Sequence, residues 1–179
     1  MPMKKYKTFE TERLRMRPTT EADADFIFEL MTSPKWLTNI GSRGLETPDD
    51  AAKYVRERML AQLERLGFGN YTILRKTDGV RIGVCGLHDR EGLEGVDIGY
   101  AFLEEYEGKG YATEAALRIK QAAFEDFLIT VLYAITTHKN VASQRVLEKL
   151  GMHWEKTVNM PNDPEELRLY ELSVEEYSK

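Results

Sequence analysis

Apolar positions along the chain recur with two periods, and the switches between them mark out the elements. In Thr11 to Pro18, the run TERLRMRP, Leu14 and Met16 alternate with arginines, the period-two signature of a strand with one buried face. Thr20 and Asp23 stand at capping-box spacing, with a short carboxylate in the third position. Phe26, Ile27, Leu30 and Met31 then follow at helical spacing, which predicts a first helix ending near Ser33-Pro34. A second helix opens at Thr47-Pro48-Asp49-Asp50, where a hydroxyl cap, an early proline and acids suit a helix N-terminus. Its stripe is Ala52, Val55, Met59, Leu63 and Leu66, and Gly67 and Gly69 end it.

Three strands are predicted next, Tyr71 to Arg75, Ile82 to Leu87 and Val96 to Leu103, with a turn signal at Lys76-Thr77-Asp78-Gly79 and a loop from His88 to Gly95. Strands this close in sequence form an antiparallel meander. A third helix follows Gly110, with Ala112, Ala116, Ile119, Ala123 and Phe127 on one face. Thr130 to Thr137 is a continuous β-rich run, a fourth helix spans about Ala142 to Leu150, and two last strands cover His153 to Asn159 and Leu167 to Leu172. A strand-helix-strand unit after a meander implies a mixed α/β architecture, one sheet of about seven strands with four helices on both faces.

Bulk properties narrow this picture. A length of 179 residues, 42% hydrophobic and 31% charged, fits a single globular domain over 1–179. A net charge of -5 gives no basic surface for nucleic acid. Cys85 is the one cysteine, so no internal disulfide is possible. No apolar run approaches the roughly 20 residues needed to span a bilayer, and the opening MPMKKYKTFETE lacks the apolar stretch of a secretory signal. The expectation is a cytoplasmic protein that binds neither nucleic acid nor membrane.

Two segments carry chemistry. The first, Val96 to Ala115 (VDIGYAFLEEYEGKGYATEA), is a strand, a glycine turn and a helix start. Gly108 and Gly110 allow positive φ and close backbone approach. The amides from Lys109 to Thr113 are the unpaired donors of a helix N-terminus, suited to an anion such as a diphosphate. Neither a P-loop nor a full G-x-G-x-x-G is present, since Thr113 holds the third glycine's place. The second segment is Asn140 to Met152 (NVASQRVLEKLGM). Asn140 and Ser143 read equally as caps of the fourth helix and as groups that meet a ligand.

With both segments in hand, the sequence resembles the GNAT acetyltransferases. The family's Gln/Arg-x-x-G-x-G/A falls on Glu105-Tyr106-Glu107-Gly108-Lys109-Gly110, continued by Tyr111-Ala112-Thr113-Glu114-Ala115. TERLRMRP with downstream Asp23, I-G-Y before the turn, and N-x-x-S-x-x-V-L-E-K-L-G resemble the ribosomal-protein-alanine (Rim-type) N-acetyltransferase branch. The resemblance spans about Thr11 to Val158. It implies a sheet splayed in its middle, with acetyl-coenzyme A as co-substrate and no metal. The pantetheine arm would lie along Ala101, Phe102 and Leu103, and the diphosphate on Gly108, Lys109, Gly110, Tyr111, Ala112 and Thr113. Asn140 would hold pantetheine, and Ser143 would lie near the thioester sulfur. A strand amide near Leu103 would polarise the thioester carbonyl.

Two positions depart from the family pattern. Glu105 replaces Gln or Arg, so backbone amides must carry the phosphate. Leu147 stands where many relatives have a tyrosine that protonates the leaving thiolate, which leaves Ser143 as the candidate acid. For the base, Asp97 and His138 are candidates, Asp97 reading equally as a solvated strand residue and His138 as the end of a strand. Cys85 sits in an apolar strand with no adjacent base, a buried hydrophobe rather than a nucleophile. Trp36, Ile40 and Arg43 in the loop between the first two helices, with Tyr100, are candidates for the acceptor side, Trp36 and Tyr100 as walls for an amine or as packing. The resemblance therefore implies transfer of acetyl to a primary amine, either a protein N-terminus or a small molecule, by direct attack in a monomer or homodimer. A non-catalytic acyl-coenzyme A-binding domain and an enzyme using another acyl group are the alternatives.

Overall fold

A computed structural model describes residues 5–179, so the first four positions of the opening segment and of the 1–179 domain lie outside the described residues. One eight-stranded sheet runs in the order β1-β2-β3-β4-β5-β6-β8-β7. The strands are β1 (Phe9–Glu10), β2 (Leu14–Pro18), β3 (Asn70–Arg75), β4 (Arg81–Asp89), β5 (Val96–Phe102), β6 (Val131–Thr137), β7 (His153–Asn159) and β8 (Glu166–Ser173). Every neighbouring pair is antiparallel except β5 and β6. The parallel pair arises because a helix, α5 below, carries the chain from β5 to β6.

The helices are α1 (Ala24–Met31), α2 (Pro34–Asn39), α3 (Pro48–Tyr54), α4 (Ala61–Leu66), α5 (Tyr111–Glu125), α6 (Val141–Lys149) and α7 (Val174–Tyr177). A wide-turned π stretch, Val55–Leu60, joins α3 to α4, so the second expected helix is one rod with an altered middle. Four other features differ from the sequence reading. The short β1 raises the strand count to eight by pairing Phe9 with Met16. The loop after α1 holds α2, because Pro34 fits a first turn and the Ser33 hydroxyl accepts from the Trp36 amide. β4 continues to Asp89, two residues past its expected end. Ser173 and Glu176 form a capping box that starts α7.

The sheet buries a core on each face. On one, Cys85, Leu87, Ile98 and Phe102 pack against Ala115, Ile119 and Ala123 of α5. On the other, Val84 and Leu103 pack against Ile27, Leu30 and Met31 of α1 and Ala51 and Val55 of the second helix. Leu14 and Met16 are buried while Arg15 is exposed, as the alternation predicts. Asp23 fastens α1 to the sheet. Its fully buried carboxylate receives two bonds from Arg17 (2.8 Å each), one from Arg81 (2.6 Å) and one from the Thr20 amide (3.0 Å). Burial opposes ionisation there, but these donors outweigh it and hold the carboxyl at about 2.

Candidate functional site

The sheet divides between β5 and β6. These strands pair only at Val96↔Leu132 and Asp97↔Tyr133. Beyond that point β5 stays with β4 as far as Phe102, while β6 stays with β8 to Thr137. A wedge-shaped gap therefore opens just past Asp97. The Leu103 amide itself donates to the Ile82 carbonyl (3.0 Å), so it is unavailable to a thioester. Antiparallel alternation then turns the amides of Ala101 and Gly99 toward β4, and those of Tyr100 and Phe102 toward the gap.

At the wide end of the gap, Gly108 (φ +75°) and Gly110 (φ +83°) both adopt the left-handed conformation that glycine tolerates best. No atom lies within 4 Å of where a Gly108 Cβ would stand, so the turn is open to a ligand. The first bond of α5 runs from the Glu114 amide to the Gly110 carbonyl (3.1 Å), which leaves the amides of Tyr111, Ala112 and Thr113 as N-terminal donors. Lys109 is exposed beside them, and Glu105 points to solvent, as a backbone-only phosphate site requires. Arg13 pins this turn from β2's entry: it donates to the Lys109 carbonyl (3.0 Å) and Glu114 (2.7 Å), and lies 4.4 Å from the Tyr111 ring. Thr11 also bonds to Glu114. The opening TER and the downstream TEA thus meet across 101 residues.

On the α6 side, Asn140 caps the helix by accepting from the Ser143 amide (3.1 Å), which leaves its own NH2 as a donor. Ser143 Oγ lies 3.1 Å from the Tyr100 hydroxyl, which also reaches the Ser143 carbonyl (3.2 Å). Tyr100 therefore belongs with Ser143 on the α5–α6 face, away from the α1–α3 face where an amine wall was expected. Burial pushes its phenol above the ordinary value, so it stays protonated. Leu147 is a core residue. His138 is engaged elsewhere. Its Nδ1 accepts from Arg168 (3.1 Å), which occupies that lone pair.

The α1–α3 face gathers Asp97 and Arg43, named from the sequence, with His88 and Arg90, which the sequence reading missed. β4's extension places His88 opposite Asp97. The imidazole lies across Gly99: a Cβ there would stand 3.3 Å from its Cδ2 and 3.4 Å from its Nε2, and 3.8 Å from Nη2 of Arg90. Asp97 is 1% exposed, not a solvated strand residue, and its Oδ1 accepts from Arg90 Nε (2.9 Å). Burial raises its carboxyl, against the pull of Arg90. Burial first, then Arg90 and Arg43, push the His88 imidazole down to about 3, so it is neutral. Trp36 lies on α2 with its Nε1 donating to the Gly41 carbonyl (3.1 Å) and packs on the same face. The signal for His88 was its place two residues beyond Gly86, on the alternation that includes Val84. Cys85, on the opposite face, is fully buried with its thiol pushed up by desolvation, as befits a small hydrophobe.

Residues 13–153 match the family described as "Acetyltransferase (GNAT) domain". The chain is 30% identical over 159 residues to the protein YkkB of Bacillus subtilis, covering 86% of this chain and 90% of that one. It is similar in structure to an acetyltransferase from Agrobacterium tumefaciens (TM-score 0.80, 28% identity, 96% and 97% of the two chains covered). It shares its fold with a ribosomal-protein-S5-alanine acetyltransferase from Vibrio fischeri (TM-score 0.76, 20% identity, 95% and 98% covered). With a divided sheet, a left-handed glycine turn at the mouth of the gap and a family match over most of its length, the chain belongs to the GNAT acetyltransferase family.

Proposed function

We propose that this protein moves an acetyl group from acetyl-coenzyme A to a primary amine by direct attack, with both substrates held in the gap between β5 and β6. The observation that carries the reading is the opening of the sheet between β5 and β6, with the glycine turn, the free strand amides and the Tyr100–Ser143 pair supplied by the elements that border it. The diphosphate would rest on the amides of Tyr111, Ala112 and Thr113, where the helix dipole favours an anion. The pantetheine arm would lie along β5 at Ala101 to Leu103 and meet the Asn140 NH2. The thioester carbonyl would then take a hydrogen bond from the Tyr100 amide, which would hold the developing oxyanion.

The amine would enter from the α1–α3 face, beside Trp36 and the His88 imidazole over Gly99. Burial, Arg90 and Arg43 make that imidazole too weak a base, so the amine's proton would leave through water. Asp97, the earlier candidate for base, acts here as a positioning residue that fixes Arg90. As the new C–N bond forms and the C–S bond breaks, the electron pair goes to sulfur. The Ser143 hydroxyl stabilises and protonates the thiolate in place of the tyrosine that Leu147 displaces. Holding the two reactants in one geometry supplies much of the rate. The buried, protonated Cys85 argues against an acyl-cysteine intermediate. No helix among the described residues is long and apolar enough to cross a membrane, which suits a cytoplasmic enzyme.

Calorimetry with acetyl-coenzyme A, followed by thiol release with a panel of amines, tests this. Binding together with amine-dependent thiol release supports the enzyme. Binding without release by any amine would leave a non-catalytic acyl-coenzyme A-binding domain, and no binding by the folded protein would remove the donor assignment.

A further inference from the structure

Arg90 is bound by only one of its nitrogens. Its Nε donates to buried Asp97, while among the described residues Nη1 and Nη2 have no hydrogen-bond partner. An arginine oriented through Nε presents its two terminal N–H groups as a rigid pair, the geometry that receives a carboxylate in two parallel bonds. Here Asp97 supplies the orientation from below, and Gly99 leaves room above. Arg90 Nη2 and His88 Nε2 both come within 4 Å of the point where a Gly99 side chain would begin. That point is two residues past the last paired residue of β5, where the gap opens. Arg43, from the loop between α2 and α3, has no ion-pair partner among the described residues, and its charge reaches the same imidazole.

The charged groups that act at His88 are Arg90 and Arg43, and Asp97 is paired with Arg90. Two guanidiniums against one carboxylate leave a net positive field. Such a field disfavours a polyamine, whose second ammonium would be repelled, and favours an amine that brings its own anion.

We infer that Arg90, held by Asp97, and Arg43 form a carboxylate-binding subsite beside His88, so that the acceptor is a small amine bearing a carboxylate, of the amino-acid class. The inference rests on the acetyltransferase reading and names the acceptor for that site.

The test uses matched acceptors that differ only in the carboxylate: phenylalanine with phenethylamine, leucine with isoamylamine, and spermidine as the polyamine control. Thiol release from acetyl-coenzyme A gives kcat/KM for each, and calorimetry on the coenzyme A-loaded protein gives binding of the same amines without turnover. The expected result is a preference of about tenfold or more for the carboxylate member of each pair in both readouts, the size of a charged hydrogen-bond pair. In Arg43→Gln and in Arg90→Lys, which keeps the charge on Asp97 but loses the planar fork, that preference should shrink several-fold. The decarboxylated amines should be left nearly unchanged. Equal or reversed preference in the parent, or variants that slow both members of a pair alike, would overturn the subsite. A carboxylate preference in binding without acetyl transfer would support the subsite and defeat the enzyme reading, so the two fail separately.

Discussion

The two faces of the divided sheet offer different kinds of group to a ligand. On the α5–α6 face the groups offered to a ligand are mostly backbone: three amides at the start of α5, two strand amides in the gap and the open turn at Gly108 and Gly110. On the α1–α3 face they are side chains, His88, Arg43 and Arg90, the last oriented by the buried Asp97 carboxylate. A backbone site tolerates change wherever φ, ψ and space are kept. A side-chain site depends on each residue and can be re-aimed by one substitution. The difference suits one face to a constant donor and the other to a variable acceptor.

The sharpest way to break the comparison is at the turn. Replacing both Gly108 and Gly110 with Asp would force two side chains into the left-handed region and set two negative charges at the positive end of α5. Acetyl-coenzyme A affinity should fall at least ~100-fold by calorimetry, with the thermal midpoint changed far less. Unaltered affinity would mean the diphosphate does not rest here.

Next in size is Asp23, which supports the side-chain face without touching the gap. Asp23→Ala leaves Arg17 and Arg81 without their carboxylate and should cost about 3 kcal/mol in chemical denaturation. Coenzyme binding by the folded fraction should survive, because the two faces are independent. The acid limb gives a second check. Because the folded carboxyl titrates at about 2 against 3.8, its contribution is full above pH 3.8 and lost as pH falls through 2. That drop corresponds to about 2 kcal/mol, and the variant should lack it. An unchanged acid limb would show that Asp23 does not hold α1 down.

The same division governs what could be read from sequence. Helix and strand periods found seven of the eight strands, because each is a local pattern, and Gly108-Lys109-Gly110 announced the turn, because positive φ has a residue signature. The short β1 has only two residues and no period to detect. The α1–α3 face was hidden for another reason. His88, Arg90, Asp97 and Arg43 come from a strand end, a loop, a second strand and a distant loop, and no spacing links them. Asp97 read as a solvated residue as readily as a base, because a charged residue alternating with Ile98 is often solvated. Only the fold shows that its partner is Arg90, seven residues back across a turn. Likewise, Thr11, Arg13 and Glu114 read as unrelated charged and polar positions until the fold brings the two segments together.

Smaller effects sharpen the comparison where the faces meet, at the thioester. Ser143→Ala should lower kcat about 10-fold while leaving KM for acetyl-coenzyme A in place, since the hydroxyl acts on the leaving thiolate rather than on the bound donor. Full turnover in that variant would exclude Ser143 as the proton source.

The smallest expected change is at Tyr100. Its half-buried phenol is protonated, and it sits 3.1 Å from Ser143 Oγ. If it only orients that hydroxyl, Tyr100→Phe should reduce kcat about 3-fold, the loss of one neutral hydrogen bond, with coenzyme affinity unchanged because the strand amide remains. The decisive comparison is the double variant. An orienting residue has nothing left to orient once Ser143 is Ala, so Tyr100→Phe in that background should do nothing more, and the two effects should be strongly non-additive. Additive losses would mean that Tyr100 acts on the thiolate by itself. The proton donor would then come from β5 as well as α6, and the α5–α6 face would carry a second catalytic side chain beside Ser143.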